Sequence, residues 1–166
     1  MMPDAPPTSD APLDLLMACH ERIRRYLGGV DALIAVNDPL DPRCPPTAAA
    51  CARYFREGLP LHGQDEDLSL TPRLLAHGVD ASVREALHQM REEHVAMDGG
   101  LPEVLALLDA AARGEAAALV EPQRWLSELL LSHIAAEEAA IFPAIALLPP
   151  DELAAITREI RARRRG

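Results

Sequence analysis

Two stretches of this chain, HGQDEDLSLTPRL from His62 to Leu74 and HIAAEEAAIFPAI from His133 to Ile145, correspond at an offset of 71 residues. His62 pairs with His133, Glu66 with Glu137, Asp67 with Glu138, Leu70 with Ile141, Pro72 with Pro143 and Leu74 with Ile145. A single histidine precedes each stretch, His20 lying 42 residues before His62 and His94 lying 39 before His133. The chain therefore reads as two copies of one helix pair.

The apolar spacing agrees with helices and offers no competing strand pattern. Leu16, Met17, His20, Ile23, Leu27, Val30 and Ile34 form one face of a first helix that begins near Pro12 and ends before Asn37. The proline-dense segment at 38–46 reads as a loop, because proline lacks a backbone donor and holds its predecessor extended. Thr47 then offers an N-cap for a second helix through Tyr54, Phe55 and Leu59 towards Leu68. Pro60 is expected to kink or break it just before His62, and Thr71-Pro72 to restart a short turn that Gly78 closes. Asp80 caps the third helix, whose stripe is Val83, Leu87, Met90, His94, Met97, Leu101, Leu105 and Leu108. A bend is expected at Gly99, Gly100 and Pro102, and an end at Gly114. The fourth helix runs from about Ala116 to Leu148, where Pro149 and Pro150 stop it, and Asp151 caps a last short helix. The expected fold is all-α: an up-down-up-down four-helix bundle over 13–148, with a fifth C-terminal helix over 149–166 packed on it. Residues 1–12, rich in Pro, Asp and Ser, read as a flexible N-terminal arm.

Composition narrows the function classes. With only five aromatic residues, the core must come from aliphatic side chains, a mixture that favours helices. A net charge of -10 without any lysine disfavours nucleic acid and anionic membrane surfaces as partners. No basic leader and no run of about 20 apolar residues is present, so a soluble, cytoplasmic protein is expected. Cys19, Cys44 and Cys51 form no CxxC pair and read as packing residues in a reducing compartment.

The histidines and glutamates carry the chemistry. Residues four apart on a helix share a face, so His62 with Glu66 and His133 with Glu137 each present an imidazole and a carboxylate towards the bundle axis. His20 and His94, on the apolar stripes of the first and third helices, complete the ring. Four histidines and two carboxylates in an apolar core cost several kcal/mol unless cations neutralise them. Imidazole plus carboxylate suits iron, with manganese or zinc compatible, and two bridging carboxylates hold ions about 3.5 to 4 Å apart. The expected arrangement puts His20 and His62 on one iron, His94 and His133 on the other, and Glu66 and Glu137 between them. An oxo or hydroxo bridge and an exogenous ligand would then complete each coordination sphere.

The order His20, His62-x-x-x-Glu66, His94, His133-x-x-x-Glu137, with the EEAAIFP run from Glu137 to Pro143, resembles hemerythrin-like HHE cation-binding domains over about residues 13–148. The resemblance implies a non-haem diiron centre in a four-helix bundle that binds O2, responds to iron, oxygen or nitric oxide, or handles peroxide. The chain departs from the oxygen carriers, which place two histidines four apart on the third helix. Here Asp98 follows His94 at that spacing and Met90 precedes it. Binding or sensing of O2, NO or iron through these residues is the leading reading. A sensor would report to a protein partner or a second copy of the chain. The competing readings are a small diiron redox enzyme reducing peroxide or nitric oxide, with Cys19 or Asp98 as proton donor, and a metal-free interaction bundle. Asp98 is also a candidate extra oxygen ligand. His77 and His88 read as surface histidines, Asp67 and Glu138 as a solvated or salt-bridged face, the C-terminal arginines as complements to a helix dipole, and Trp125 as core above the site.

Overall fold

A computed structural model of the protein describes residues 11–165. The expected N-terminal arm lies outside the described residues except for Ala11 and Pro12. Pro12 already opens helix α1, Pro12–Val36, at the position where its missing N–H is no loss. Asn37, left-handed, closes α1 by donating its N–H to the Leu33 carbonyl.

Helix α2 spans residues 44–77 as one uninterrupted rod, beginning at Cys44 rather than after Thr47. Pro45 and Pro46 fit its first turn, where backbone donors need no partner. Thr47 does not cap it; its hydroxyl donates to the Arg43 carbonyl at 2.8 Å. Pro60 and Pro72 do not break the rod either. Each follows a π turn, Tyr54–Gly58 and Asp65–Leu70 respectively, whose widened backbone removes the clash between a proline ring and the preceding turn. Gly78, at a φ of 90°, ends the rod.

Helix α3, Ala81–Ala112, is capped by Asp80, whose carboxylate accepts the Val83 N–H at 2.9 Å. It continues as helix through Gly99, Gly100 and Pro102. Gly100 has a packing role, since a Cβ there would collide with the Trp125 ring. Trp125 therefore lies across α3 at the surface, 36% exposed, and does not fill the core as its sequence position suggests. Helix α4 spans residues 120–145, starting at Val120 rather than near Ala116, with a π turn at Glu137–Ile141 ahead of Pro143. Helix α5 is Pro150–Arg163; Pro149 occupies its N-cap and Asp151 lies inside its first turn.

The helices form an all-α, up-down-up-down bundle: α1 packs on α2 and α4, and α3 packs on the same two. Helix α5 docks on α1 and on the Asp65–Leu70 turn of α2. The interior holds two apolar clusters. One contains Ile23, Leu27, Phe55, Met97, Leu126 and Leu130, and the other Leu16, Leu70, Leu74, Met90, Ile141 and Phe142. Each fully buried aliphatic side chain stabilises the fold by roughly 1.5–3 kcal/mol. Between these clusters, at the level of His20 on α1 and His94 on α3, the stripes become polar. Among the described residues no helix is long and apolar enough to cross a membrane.

Candidate metal centre

All six inward side chains converge in that polar layer. The two i, i+4 pairs face their own carboxylates: His62 Nε2 lies 3.3 Å from Glu66 Oε1, and His133 Nε2 lies 3.1 Å from Glu137 Oε1. The lone histidines close the ring from the other helices. His20 Nε2 is 3.1 Å from Glu137 Oε2 and 4.0 Å from Glu66 Oε1, and His94 Nε2 is 3.3 Å from Glu66 Oε2. Two overlapping groups result, His20–His62–Glu66–Glu137 and His94–His133–Glu66–Glu137, within each of which the donor atoms lie no more than 4.8 Å apart. Both groups share both carboxylates.

The local backbone helps to set this register. Glu66 and Glu137 each lie at the start of a π turn, and each gives its carbonyl to an N–H five residues on, from Thr71 and from Phe142. The duplicated prolines thus mark duplicated π turns rather than helix ends.

Whether a cation fits can be judged from the side-chain atoms themselves. His20 Nε2, both ring nitrogens of His62, His94 Nε2, His133 Nε2 and all four oxygens of Glu66 and Glu137 are buried without a well-aligned hydrogen bond, the 3.1–3.3 Å approaches between them being ion-pair distances only. Orphaned polar atoms of this kind are rare, and each carries a desolvation cost of about 1–3 kcal/mol. Cations between them would supply the missing partners at once. Burial, then the neighbouring Glu137, pushes Glu66 up to about 7. Burial opposes ionisation of Glu137 as well, yet His133 and His20 hold it well below the usual carboxylate range. Burial drives His62 down to about 3. His62 is thereby kept neutral, as a metal ligand must be, whereas against the effect of burial the facing carboxylates raise His20, His94 and His133, so a cation would have to displace a proton from each of these three.

The outward nitrogens of three histidines are held by carboxylates that fix the ring orientation. Glu138 accepts from His20 Nδ1 at 2.8 Å and from Arg24 at 2.8 Å. Asp67 meets His94 Nδ1 at 3.1 Å, and Glu93 meets His133 Nδ1 at 2.7 Å. Asp67 and Glu138 are thus salt-bridged, as the sequence suggests, but their partners are histidines of the opposite hairpin. Their position one after each glutamate of the repeat was the available signal. Glu93 carried none beyond standing next to His94.

The C-terminal arginines do more than complement a dipole. Arg163 and Arg164 reach the fully buried Asp65 at 2.9 and 2.6 Å, and Arg163 also donates to Ser69 at 2.7 Å. Cys19 is buried with its thiol 3.3 Å from Arg164, while Cys44 and Cys51 pack in the apolar core. Asp98 is exposed and belongs to neither donor group. His77 and His88 are on the surface, His88 beside Glu92 at 3.4 Å.

A four-helix bundle with a buried layer of histidine and glutamate, arranged in two groups that could each hold a cation, defines a metal-binding helical bundle. The chain belongs to the hemerythrin HHE cation-binding domain family, whose pattern it matches over residues 11–145, with a second match over 85–165. No curated protein is significantly similar to it.

Proposed function

We propose that this chain is a diiron protein of the hemerythrin-like type, with His20, His62, Glu66, His94, His133 and Glu137 as ligands, that binds or senses O2, NO or iron. The observation that carries the reading is the set of inward nitrogens and oxygens, buried and without partners, that shares two carboxylates between two donor groups. In this reading His20 and His62 would hold one iron and His94 and His133 the other, with Glu66 and Glu137 shared between the two groups. When bound, the iron pair supplies two adjacent redox-active Lewis acids able to take a small exogenous ligand. The chain's own groups do the rest. Asp67, Glu93 and Glu138 keep the protons of their histidines on Nδ1, leaving Nε2 free to ligate. Apolar clusters pack on either side of the layer.

A metal-free interaction bundle is disfavoured by the same orphaned atoms, which such a bundle would bury at a loss. A redox enzyme acting on peroxide or NO finds less support in Cys19, whose thiol is turned to Arg164 and raised by burial. Three free, buried cysteines suit a cytoplasmic setting.

Elemental analysis of the freshly purified protein tests the proposal, with two irons per chain expected. His62→Ala and Glu137→Ala should lower metal content and thermal stability together, because metal that binds only the folded state stabilises it. Unchanged metal content in both variants would refute the ligand assignment. Stopped-flow mixing of the ferrous protein with O2, NO and peroxide then separates a stable reversible adduct, expected for binding, from turnover.

A further inference from the structure

A cavity of about 170 Å³ opens between α2, α3 and α4 and reaches the buried polar layer. His62, His94 and His133 line it; His20 does not. His20 is sealed on its side, fully buried, with Phe142 stacked on its ring at 4.9 Å and Glu138 on its Nδ1. One part of the cavity wall is apolar, from Leu59, Met97, Leu101 and Leu130, while Asp67 and Asp98 bring carboxylates to the lining. Gly63 forms part of the floor, and a Cβ added there would stand 3.8 Å from the His94 ring, in ordinary contact. His62, one of the lining residues, is 2% exposed and its Nδ1 has no hydrogen-bond partner. A water's share of liquid volume is about 30 Å³, so the cavity takes a molecule of a few heavy atoms.

We infer that this cavity is the port through which an exogenous ligand reaches the centre, that it serves the His94–His133 side rather than His20, and that its rim selects small neutral molecules over small anions. The inference rests on the diiron reading and names the ligand class for it. Asp67 is paired with His94, so the negative charge of the lining rests mainly on Asp98, which on a chain of net charge -10 lowers the local concentration of an anion and leaves that of O2, NO or hydrogen peroxide unaffected. Removing one unit charge at roughly 5–7 Å from the ligand's path, in a water-like medium, changes the anion's local concentration about threefold. Salt near 1 M, where the Debye length is about 3 Å and so shorter than this distance, removes most of that difference.

The test uses the full-length, iron-loaded chain and two probes, nitric oxide as the neutral ligand and azide as the anion, with association rates followed by stopped-flow absorbance. Asp98→Asn should raise the azide rate relative to the nitric oxide rate about threefold at low ionic strength, with the gain fading at high salt. Gly63→Ala combined with Leu101→Phe, which narrows the cavity, should slow both probes several-fold while iron content stays at the wild-type level. Equal rates in the narrowed variant at full iron content would overturn the port. An unchanged azide-to-nitric-oxide ratio in Asp98→Asn would overturn the selection. A metal-independent arm keeps failure of the port distinct from failure of the diiron reading. In metal-free crystals under xenon pressure, xenon should occupy the cavity in wild type and be lost from the narrowed variant, and a cavity that takes no xenon overturns the port whatever the iron content.

Discussion

Replacing both Arg163 and Arg164 with alanine should destabilise the protein far more than the loss of two charges at a helix end. A cation in the last turn of a helix is worth about 0.3–1 kcal/mol through the helix dipole. Asp65 changes that scale: it is fully buried, and its two oxygens are met at 2.9 and 2.6 Å by the two guanidinium groups. Removing the partners of a buried charge costs about 3–5 kcal/mol. The arginine side chains keep 18% and 29% of their exposure, so solvent screens part of the interaction, and about 2–4 kcal/mol is the reasoned loss. For a chain of this size each kcal/mol moves the melting temperature by roughly 2–4 °C, so the double variant should melt roughly 5–15 °C lower. Circular dichroism melting of the metal-free full-length protein reads this without interference from metal linkage. Adding Asp65→Asn to the double variant should recover part of the loss, because the buried charge is then gone. A shift of only about 1–2 °C, or no recovery with Asp65→Asn, would show that the arginines act through the dipole alone.

Glu93→Gln removes the carboxylate from His133 Nδ1, and calorimetric titration should find one of the two ions bound about 10–100-fold more weakly, with the other little changed; equal weakening of both contradicts the assignment. Gly100→Ala should force the half-exposed Trp125 ring outward, shifting its emission to the red at a cost of about 1 kcal/mol in urea unfolding. Asp80 carries a carboxyl lowered by hydrogen bonds from the Val83 N–H and Ser82, so its contribution is present above the unfolded aspartate range and is lost as pH falls through the folded value. Asp80→Ala should therefore be destabilising near neutral pH and close to neutral in strongly acidic buffer, as read by paired melting curves.

The site was legible because its members obey a local rule. A histidine and a glutamate four apart on a helix must share a face, and a second copy 71 residues on must do the same, so the inward register of His62, Glu66, His133 and Glu137 follows without tertiary information. His20 and His94 were legible for a related reason, standing on stripes otherwise made of Leu, Ile and Met. The prolines were visible but misread. Pro60 and Pro72 look like breaks to any rule that allows only α geometry, whereas one extra residue in the preceding turn lets the rod continue. The clasp of Asp65 by Arg163 and Arg164 spans nearly 100 residues of sequence. No periodicity encodes such a contact, because it depends on where α5 docks. The outer carboxylate Glu93 is likewise one of several acidic residues on an exposed helical face until α4 brings His133 against it.

The two halves of the bundle are not equivalent, and α5 explains the difference. In the second hairpin the residue before the lone histidine is Glu93, and it holds the Nδ1 of His133. Its counterpart in the first hairpin is Cys19, whose thiol turns instead to Arg164 just past the end of α5, and His62 is left without an outer partner. The same asymmetry appears one residue before the glutamates. Asp65 is fully buried beneath α5, while its counterpart Ala136 is exposed on the bare flank of α4. Docking of α5 on α1 and α2 has thus placed a buried ionic contact on the first half's outer surface, and His62, itself buried, is the one of the four imidazoles whose Nδ1 has no carboxylate partner. That histidine also borders the cavity. His62, His94 and His133 line that cavity together, the last two held by carboxylates on Nδ1 and the first not. Helix α5 is fastened through Arg163 and Arg164 to Asp65, the chain neighbour of Glu66, so the C-terminal helix and the polar layer share one buried contact.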